Sequence, residues 1–323
     1  MARILANDGL HQAGLDMLRE AGFEVVTDKV EQSDLPTALQ QYDAILVRSA
    51  TTVRQVLIDA CPNLSFIGRG GVGMDNIDVD YARSKGIRVE NTPAASSQSV
   101  AELVMGHFYT MARSLHDSNR KMPAEGGTDF KMLKKAYGKG AELSGKTLGI
   151  VGMGRIGRAT AALGLGAGMR VIGADPYMEN PVQVDLQLAD RDNLQIPVEL
   201  LERDDLISQA DFISLHIPFG KGQVPVIDQA AFGKMKQGVY LANAARGGVV
   251  DEDALLAALE SGKVAGAALD VFVGEPTPRQ ELLHHASISL TPHIGAATVE
   301  AQARIGTEMA GKLIEHFSAT ASH

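Results

Sequence analysis

Four short segments of this 323-residue chain carry residue types that could do chemistry together. Residues 241–255 read LANAARGGVVDEDAL, with Arg246 just past an apolar run. Residues 269–276 read LDVFVGEP, with Glu275 a few positions beyond another run. Residues 290–298 read LTPHIGAAT, with His293 just past a third. Arginine is a permanent planar cation matched to a carboxylate. Histidine, with an ordinary pKa of about 6.5, exchanges protons near neutrality. A glutamate beside it favours the charged imidazole. The fourth segment, residues 148–157, reads LGIVGMGRIG and holds a G-x-G-x-x-G at Gly152, Gly154 and Gly157. An apolar strand precedes it, a helical stretch follows, and Asp175 comes 18 residues after Gly157 (175 − 157). A dinucleotide fingerprint has this form, with an acid about 20 residues on. Gly152 permits the tight turn, Gly154 lets backbone approach a pyrophosphate, and Gly157 lets helix and strand pack closely. The helical stretch at 158–165 has a start with free N–H groups and a positive dipole end to face the phosphates, and Arg155 and Ile156 of the loop are expected to contact the cofactor as well. Asp175 can accept from ribose hydroxyls and would repel a 2′-phosphate, so NAD is expected rather than NADP. A cation, a proton shuttle and a nicotinamide together describe oxidation of a 2-hydroxy acid.

These groups need a scaffold that gathers them. Apolar runs at 3–6, 24–27, 44–48, 66–68 and 88–90 alternate with helix-like stretches such as 11–21 and 53–60. A second series follows at 147–151, 170–174, 212–216, 240–242, 266–270 and 287–290. Such alternation makes parallel sheets with helices on both faces, and nearly continuous apolar strands are what two covered faces require. The fold class expected is α/β, with two doubly wound parallel-sheet domains. Ligands bind outside the carboxyl ends of such strands, so the four segments are expected to open into one crevice. Residues 99–113 and 300–317 read as helices. Residues 121–140, rich in Gly, Lys and Pro, read as a surface excursion.

Composition narrows the classes. With 45% hydrophobic and 21% charged residues the chain is a folded one. The 34 glycines exceed the ~23 that average usage of ~7% gives, which points to tight backbone approaches. A net charge of −9 argues against nucleic acid or an anionic membrane as partner, and 5% aromatics without tryptophan argue against a stacking surface. The single cysteine, Cys61, excludes an intrachain disulfide framework and a cysteine-based zinc site, and no metal is expected. The start MARILANDGL has no apolar leader core and no run of 18 apolar residues occurs, so a soluble cytoplasmic protein is expected. The other histidines (His11, His107, His116, His216, His284, His285, His316 and His323) are expected to serve the fold.

GMGRIG, NAARGGVVDE, LDVFVGEP and TPHIGAAT, in this order and spacing, resemble the D-isomer-specific 2-hydroxyacid dehydrogenases over essentially the whole chain. The resemblance implies NAD, a homodimer (a tetramer being the other possibility), and catalytic roles for Arg246, Glu275 and His293. It implies a Rossmann NAD-binding domain at 99–289 inserted into a flavodoxin-like substrate-binding domain made of 1–98 and 290–323. The chain would then cross between the two near 93–98 and 291–295. It also implies cofactor contacts at His216, Ala244 and Asp270. ILVRSATTV at 45–53, IGRGGVGMDNID at 67–78 and EAQ at 300–302 resemble the branch that acts on D-3-phosphoglycerate. By that likeness Arg48, Ser49, Arg69, Gly71, Val72, Gly73 and Asn76 would meet a small anionic substrate. Oxidation of D-3-phosphoglycerate, the first step of serine biosynthesis, is the activity so implied. Reduction of an unphosphorylated 2-oxo acid such as hydroxypyruvate or glyoxylate is the alternative, and an NAD-sensing corepressor-like binding protein is a distant one. The chain ends soon after Phe317, so no C-terminal regulatory module is expected.

Overall fold

The computed structural model describes residues 2–220 and 222–320; His323 lies outside them. The chain divides into two compact units, 1–99 with 296–323, and 100–295.

The first unit is built on Arg3–Ala6 (β1), Glu24–Val26 (β2), Ala44–Val47 (β3), Phe66–Arg69 (β4) and Arg88–Asn91 (β5). All pair in parallel, in the order β2-β1-β3-β4-β5. Successive side chains of a strand point to opposite faces. Ile4, Ala6, Ala44 and Leu46 therefore pack with Phe66 on one face, while Leu5, Ile45 and Val47 pack with Ile67 on the other. Both faces are dry, which is why these strands read as unbroken apolar runs. Cys61 is a buried apolar filler in the second cluster. The C-terminal helix, Val299–Thr320, returns to this unit and packs Met309, Ala310 and Leu313 against Leu18 of helix Gln12–Glu20. The two helices meet glycine to glycine: a Cβ at Gly14 would overlap the backbone of Gly306.

The second unit adds Thr147–Val151 (β6), Arg170–Ala174 (β7), Val182–Leu186 (β8), Leu194–Val198 (β9), Phe212–Leu215 (β10), Val239–Asn243 (β11), Val264–Leu269 (β12) and Ile288–Leu290 (β13). Its main sheet is parallel throughout, in the order β13-β12-β11-β10-β6-β7. The direction of winding reverses between β6 and β10, the switch point where α/β sheets hold ligands. Helix Ser97–Ala112 lies against this sheet through Phe108, whose ring meets Phe212 edge-on at 5.2 Å.

Three expectations need correction. Residues 121–140 do lie at the surface, but part of the stretch is helical, within Leu115–Glu125 and Phe130–Ala136. Leu115–Glu125 buries no residue, so it lacks the apolar period that reveals a helix. The antiparallel hairpin β8–β9 was missed, because its strands alternate in the half-buried manner and lack the continuous apolar runs of the parallel sheets. Residues 290–295 pack with the second unit, not the first. There β13 pairs with β12, and Ile294 and Gly295 donate their N–H groups to Asp270.

Gly14→Ala should destabilise the first unit by about 1–3 kcal/mol, since overpacking against backbone outweighs the ~1 kcal/mol gain in helix propensity. Urea unfolding checks this; an unchanged midpoint would show that the glycine contact is slack.

Candidate active site

In the second unit the glycine loop follows β6. Gly152 has φ +95°, and a Cβ there would lie 2.5 Å from the carbonyl oxygen of His216. A Cβ at Gly157 would overlap the oxygen of Gly152, so the helix can start this close to the strand only with glycine. In front of Gly154 the space is open, with nothing within 4 Å of its Cβ position. Gly154 caps helix Arg155–Gly166 without any side-chain hydrogen bond, which leaves the first-turn amides to an outside anion. Asp175, one residue past β7, accepts from Met153 N at 2.9 Å and Tyr177 N at 3.0 Å. The carboxylate thus stands beside the loop. An open backbone face, free amides and an adjacent acid fit a dinucleotide pyrophosphate and ribose.

His216 follows β10 and donates its backbone N–H to Val151 O at 2.8 Å. Its Nε2 lies 2.8 Å from Ser214 Oγ, and its Nδ1 is shut from solvent without a partner. Burial pushes its pKa down to about 3. The imidazole is therefore neutral throughout the physiological range.

Arg246 lies three residues beyond β11. Asn243 clamps this turn, its amide donating to Arg246 O at 2.9 Å and its oxygen accepting from Ala245 N at 3.1 Å. Ala244 is half-buried inside the clamp. A Cβ at Gly247 would overlap Phe272 O, so the arginine loop lies directly on the loop after β12. That loop carries Glu275, whose Oε1 accepts from Phe272 N at 2.9 Å. Its Oε2 lies 2.8 Å from His293 Nδ1. Glu252 steadies the same loop by accepting from Val273 N at 2.9 Å. His293 has φ +54°, a left-handed backbone uncommon in non-glycine residues. The structure therefore joins Glu275 to His293 directly and brings the Arg246 turn against the Glu275 loop. Asp270 is only 2% exposed, and its oxygens are spent on Thr291 Oγ1 at 2.6 Å, Ile294 N at 2.8 Å and Gly295 N at 2.9 Å.

In the first unit Val47 and Arg69 are register partners on adjacent strands, so Arg48 and Arg69 leave the neighbouring carboxyl ends one position out of register. Arg48 lines a cavity of about 300 Å³ with Asp8, His11, Gly70, Gln302 and Ile305. The Arg69 guanidinium lies instead on its own loop, donating to Gly70 O at 3.3 Å and filling the space above Gly71. Ser49 is exposed, and Val72 and Gly73 are half-buried. Asn76 spends its amide on Arg48 O at 2.8 Å and Thr51 O at 2.6 Å. Asp8 grips the same turn, accepting from Arg48 N at 2.7 Å, Thr51 N at 3.0 Å and Thr51 Oγ1 at 2.7 Å. Sequence reasoning missed Asp8, Asn243 and Glu252. All three lie at or just past a strand end or on a helix start, and position was the only signal available.

Residues 105–295 match the family model "D-isomer specific 2-hydroxyacid dehydrogenase, NAD binding domain". Hydroxypyruvate reductase of Thermotoga maritima is 41% identical over 317 residues, 97% of each chain. D-3-phosphoglycerate dehydrogenase of Homo sapiens is 38% identical over 316 residues, covering 98% of this chain. The chain spans 56% of the length of that relative. Among solved structures, the TT0316 protein of Thermus thermophilus superposes with a TM-score of 0.84 at 29% identity, over 98% of this chain and 97% of the other. A glyoxylate reductase from Paecilomyes thermophila gives 0.81 at 27%, over 97% and 94%. The chain belongs to the D-isomer-specific 2-hydroxyacid dehydrogenases, NAD-dependent oxidoreductases of α/β fold.

Two outcomes follow for the second unit. Unfolded histidine titrates near 6.5, whereas His216 in the fold holds off its proton until about pH 3. The unfolded chain therefore binds more protons as pH falls through that window, and stability is lost on acidification. Burial lowers the pKa of His107 as well, adding in the same direction. Urea unfolding at pH 5.5 against pH 7.5 should show a loss of about 1.4 kcal/mol from His216 alone; equal stability at the two pH values would contradict the buried neutral imidazole. Separately, Asp175→Ala should weaken NADH binding and narrow the preference for NADH over NADPH, read by fluorescence titration; an unchanged ratio would remove Asp175 from ribose recognition.

Proposed function

We propose that this enzyme interconverts hydroxypyruvate and D-glycerate, transferring hydride at C2. The observation that carries the chemistry is the His293–Glu275 contact of 2.8 Å. With Nδ1–H donating to the carboxylate, His293 Nε2 is left to exchange a proton with the substrate oxygen. The Gly152–Gly157 loop and Asp175 would hold NAD, which would supply the hydride acceptor, or NADH, which would supply the donor. In reduction, protonated His293 gives its Nε2 proton to the carbonyl oxygen of C2 as that carbon receives hydride. In oxidation, the neutral imidazole takes the hydroxyl proton, and Glu275 stabilises the resulting cation. Arg246 is suited to hold the substrate carboxylate bidentately and so to fix C2.

The preference for the unphosphorylated substrate rests on two supports. The Thermotoga maritima hydroxypyruvate reductase matches over nearly the full length of both chains. Of the two arginines expected to grip a phosphate, Arg69 is already laid on the backbone of Gly70. D-3-phosphoglycerate is the second reading, favoured by the 38% identical D-3-phosphoglycerate dehydrogenases and by the neighbouring exits of Arg48 and Arg69. The expected homodimer and cytoplasmic location remain part of this proposal. No described helix is long and apolar enough to cross a membrane.

His293→Ala should lower kcat by about 10²–10⁴-fold while NADH binding stays within about twofold. Steady-state rates with hydroxypyruvate, glyoxylate, D-glycerate and D-3-phosphoglycerate decide the substrate. A kcat/KM for D-3-phosphoglycerate far above that for D-glycerate would replace the first reading with the second, and full turnover in His293→Ala would remove the proton-transfer role.

A further inference from the structure

His107 sits on helix Ser97–Ala112, away from the segments that carry the reaction, and is only 7% exposed. Its sequence context suggests no role beyond the fold. Both ring nitrogens nonetheless reach the strand and loop that lead to His293. Nδ1 lies 2.8 Å from Ser289 Oγ, and Nε2 lies 3.2 Å from Thr291 Oγ1. Thr291 Oγ1 donates to Asp270 Oδ1 at 2.6 Å. The same carboxylate accepts from the N–H groups of Ile294 and Gly295, immediately after His293.

Counting hydrogens gives this chain one direction. A hydroxyl has a single proton, and that of Thr291 goes to the carboxylate. Thr291 can then only accept from His107, so Nε2 carries a hydrogen. Buried and neutral, the ring uses Nδ1 to accept from Ser289. The order is Ser289 O–H to His107, His107 N–H to Thr291, Thr291 O–H to Asp270, with two backbone amides closing on the other side. We propose that His107 is a positioning residue for His293: through Thr291 and Asp270 it locks the loop 291–295 in the conformation that gives His293 its positive φ. The inference rests on the reading of His293 as the proton-exchanging group. Its physical content is that left-handed backbone at a non-glycine residue carries a cost that surrounding contacts must offset. Asp270 supplies that constraint, and His107 orients the hydroxyl that completes Asp270.

The test compares His107→Leu, which removes both contacts, with His107→Gln, whose amide can still donate to Thr291 and accept from Ser289. For each variant, kcat and KM are measured with NADH and hydroxypyruvate, and hydrogen–deuterium exchange of residues 291–295 is followed on the protein without added cofactor. His107→Leu should lower kcat about tenfold or more, as misplacement of a reacting group by ~1 Å costs up to about 10²-fold. KM for NADH should stay within twofold, and the amides of Ile294 and Gly295 should exchange at least tenfold faster. His107→Gln should recover most of both. If His107→Leu does not fold, Thr291→Val against Thr291→Ser supplies the same contrast. Wild-type kcat and exchange in the disruptive variant, or an equal loss in the conservative one, would overturn the proposal. His293→Ala in the same assay separates the two claims: its full activity would sink the reading of His293, whereas its inactivity beside an unaffected His107→Leu would sink only the positioning role.

Discussion

In the proposed mechanism the chemistry depends on holding one imidazole, that of His293, on a left-handed stretch of backbone. His293 stands at φ +54° between two carboxylates. Asp270, buried beneath the loop, binds the backbone on the C-terminal side of the histidine. Glu275, on the neighbouring loop, binds the ring. One acid sets where the residue sits and the other sets which nitrogen faces outward. Left-handed backbone at a bulky residue costs about 1–3 kcal/mol. Charge-assisted hydrogen bonds of about 1.5–3 kcal/mol each can offset it.

The same device recurs at other strand ends. Asp8, just past β1, grips the turn of Arg48 through two amides and a hydroxyl. Asp175, just past β7, grips the glycine loop through Met153 N. Asp270, just past β12, grips the loop of His293. Loops at the carboxyl ends of parallel strands lack the ladder that holds the strands themselves. A short acid at the strand exit restores fixed hydrogen bonds where ligand-facing groups must be held. In the proposed NAD site Asp175 has two duties, since the carboxylate suited to a ribose also shapes the glycine turn through Met153 N.

The scaffold was largely legible in the sequence because both sheets are covered on both faces. Runs such as residues 147–151 and 212–215 are apolar at nearly every position, and the structure places their alternate side chains in two separate cores. The glycine spacing was legible because Gly152 and Gly157 answer steric needs that no other residue meets, while Gly154 keeps the backbone open. What stayed hidden is contact between residues distant in sequence and ordinary in type. Nothing local distinguishes His107 from a histidine that fills a core, and 182 residues separate it from Ser289. Asn76 shows the reverse case. Its type and place suggested a substrate contact, but not that its amide ties down two carbonyls of the Arg48 turn. Leu115–Glu125 escaped notice because a helix with no buried face leaves no apolar period to read.

Chemical rescue addresses the role of His293 most directly. Single-turnover oxidation of NADH by hydroxypyruvate is followed in His293→Ala while imidazole is added. If the missing side chain supplied a proton to the C2 oxygen, the rate should climb with the concentration of protonated imidazole and saturate as the vacated space fills. A rate that ignores imidazole at every pH, in a variant shown to bind NADH normally, would contradict proton delivery from this position.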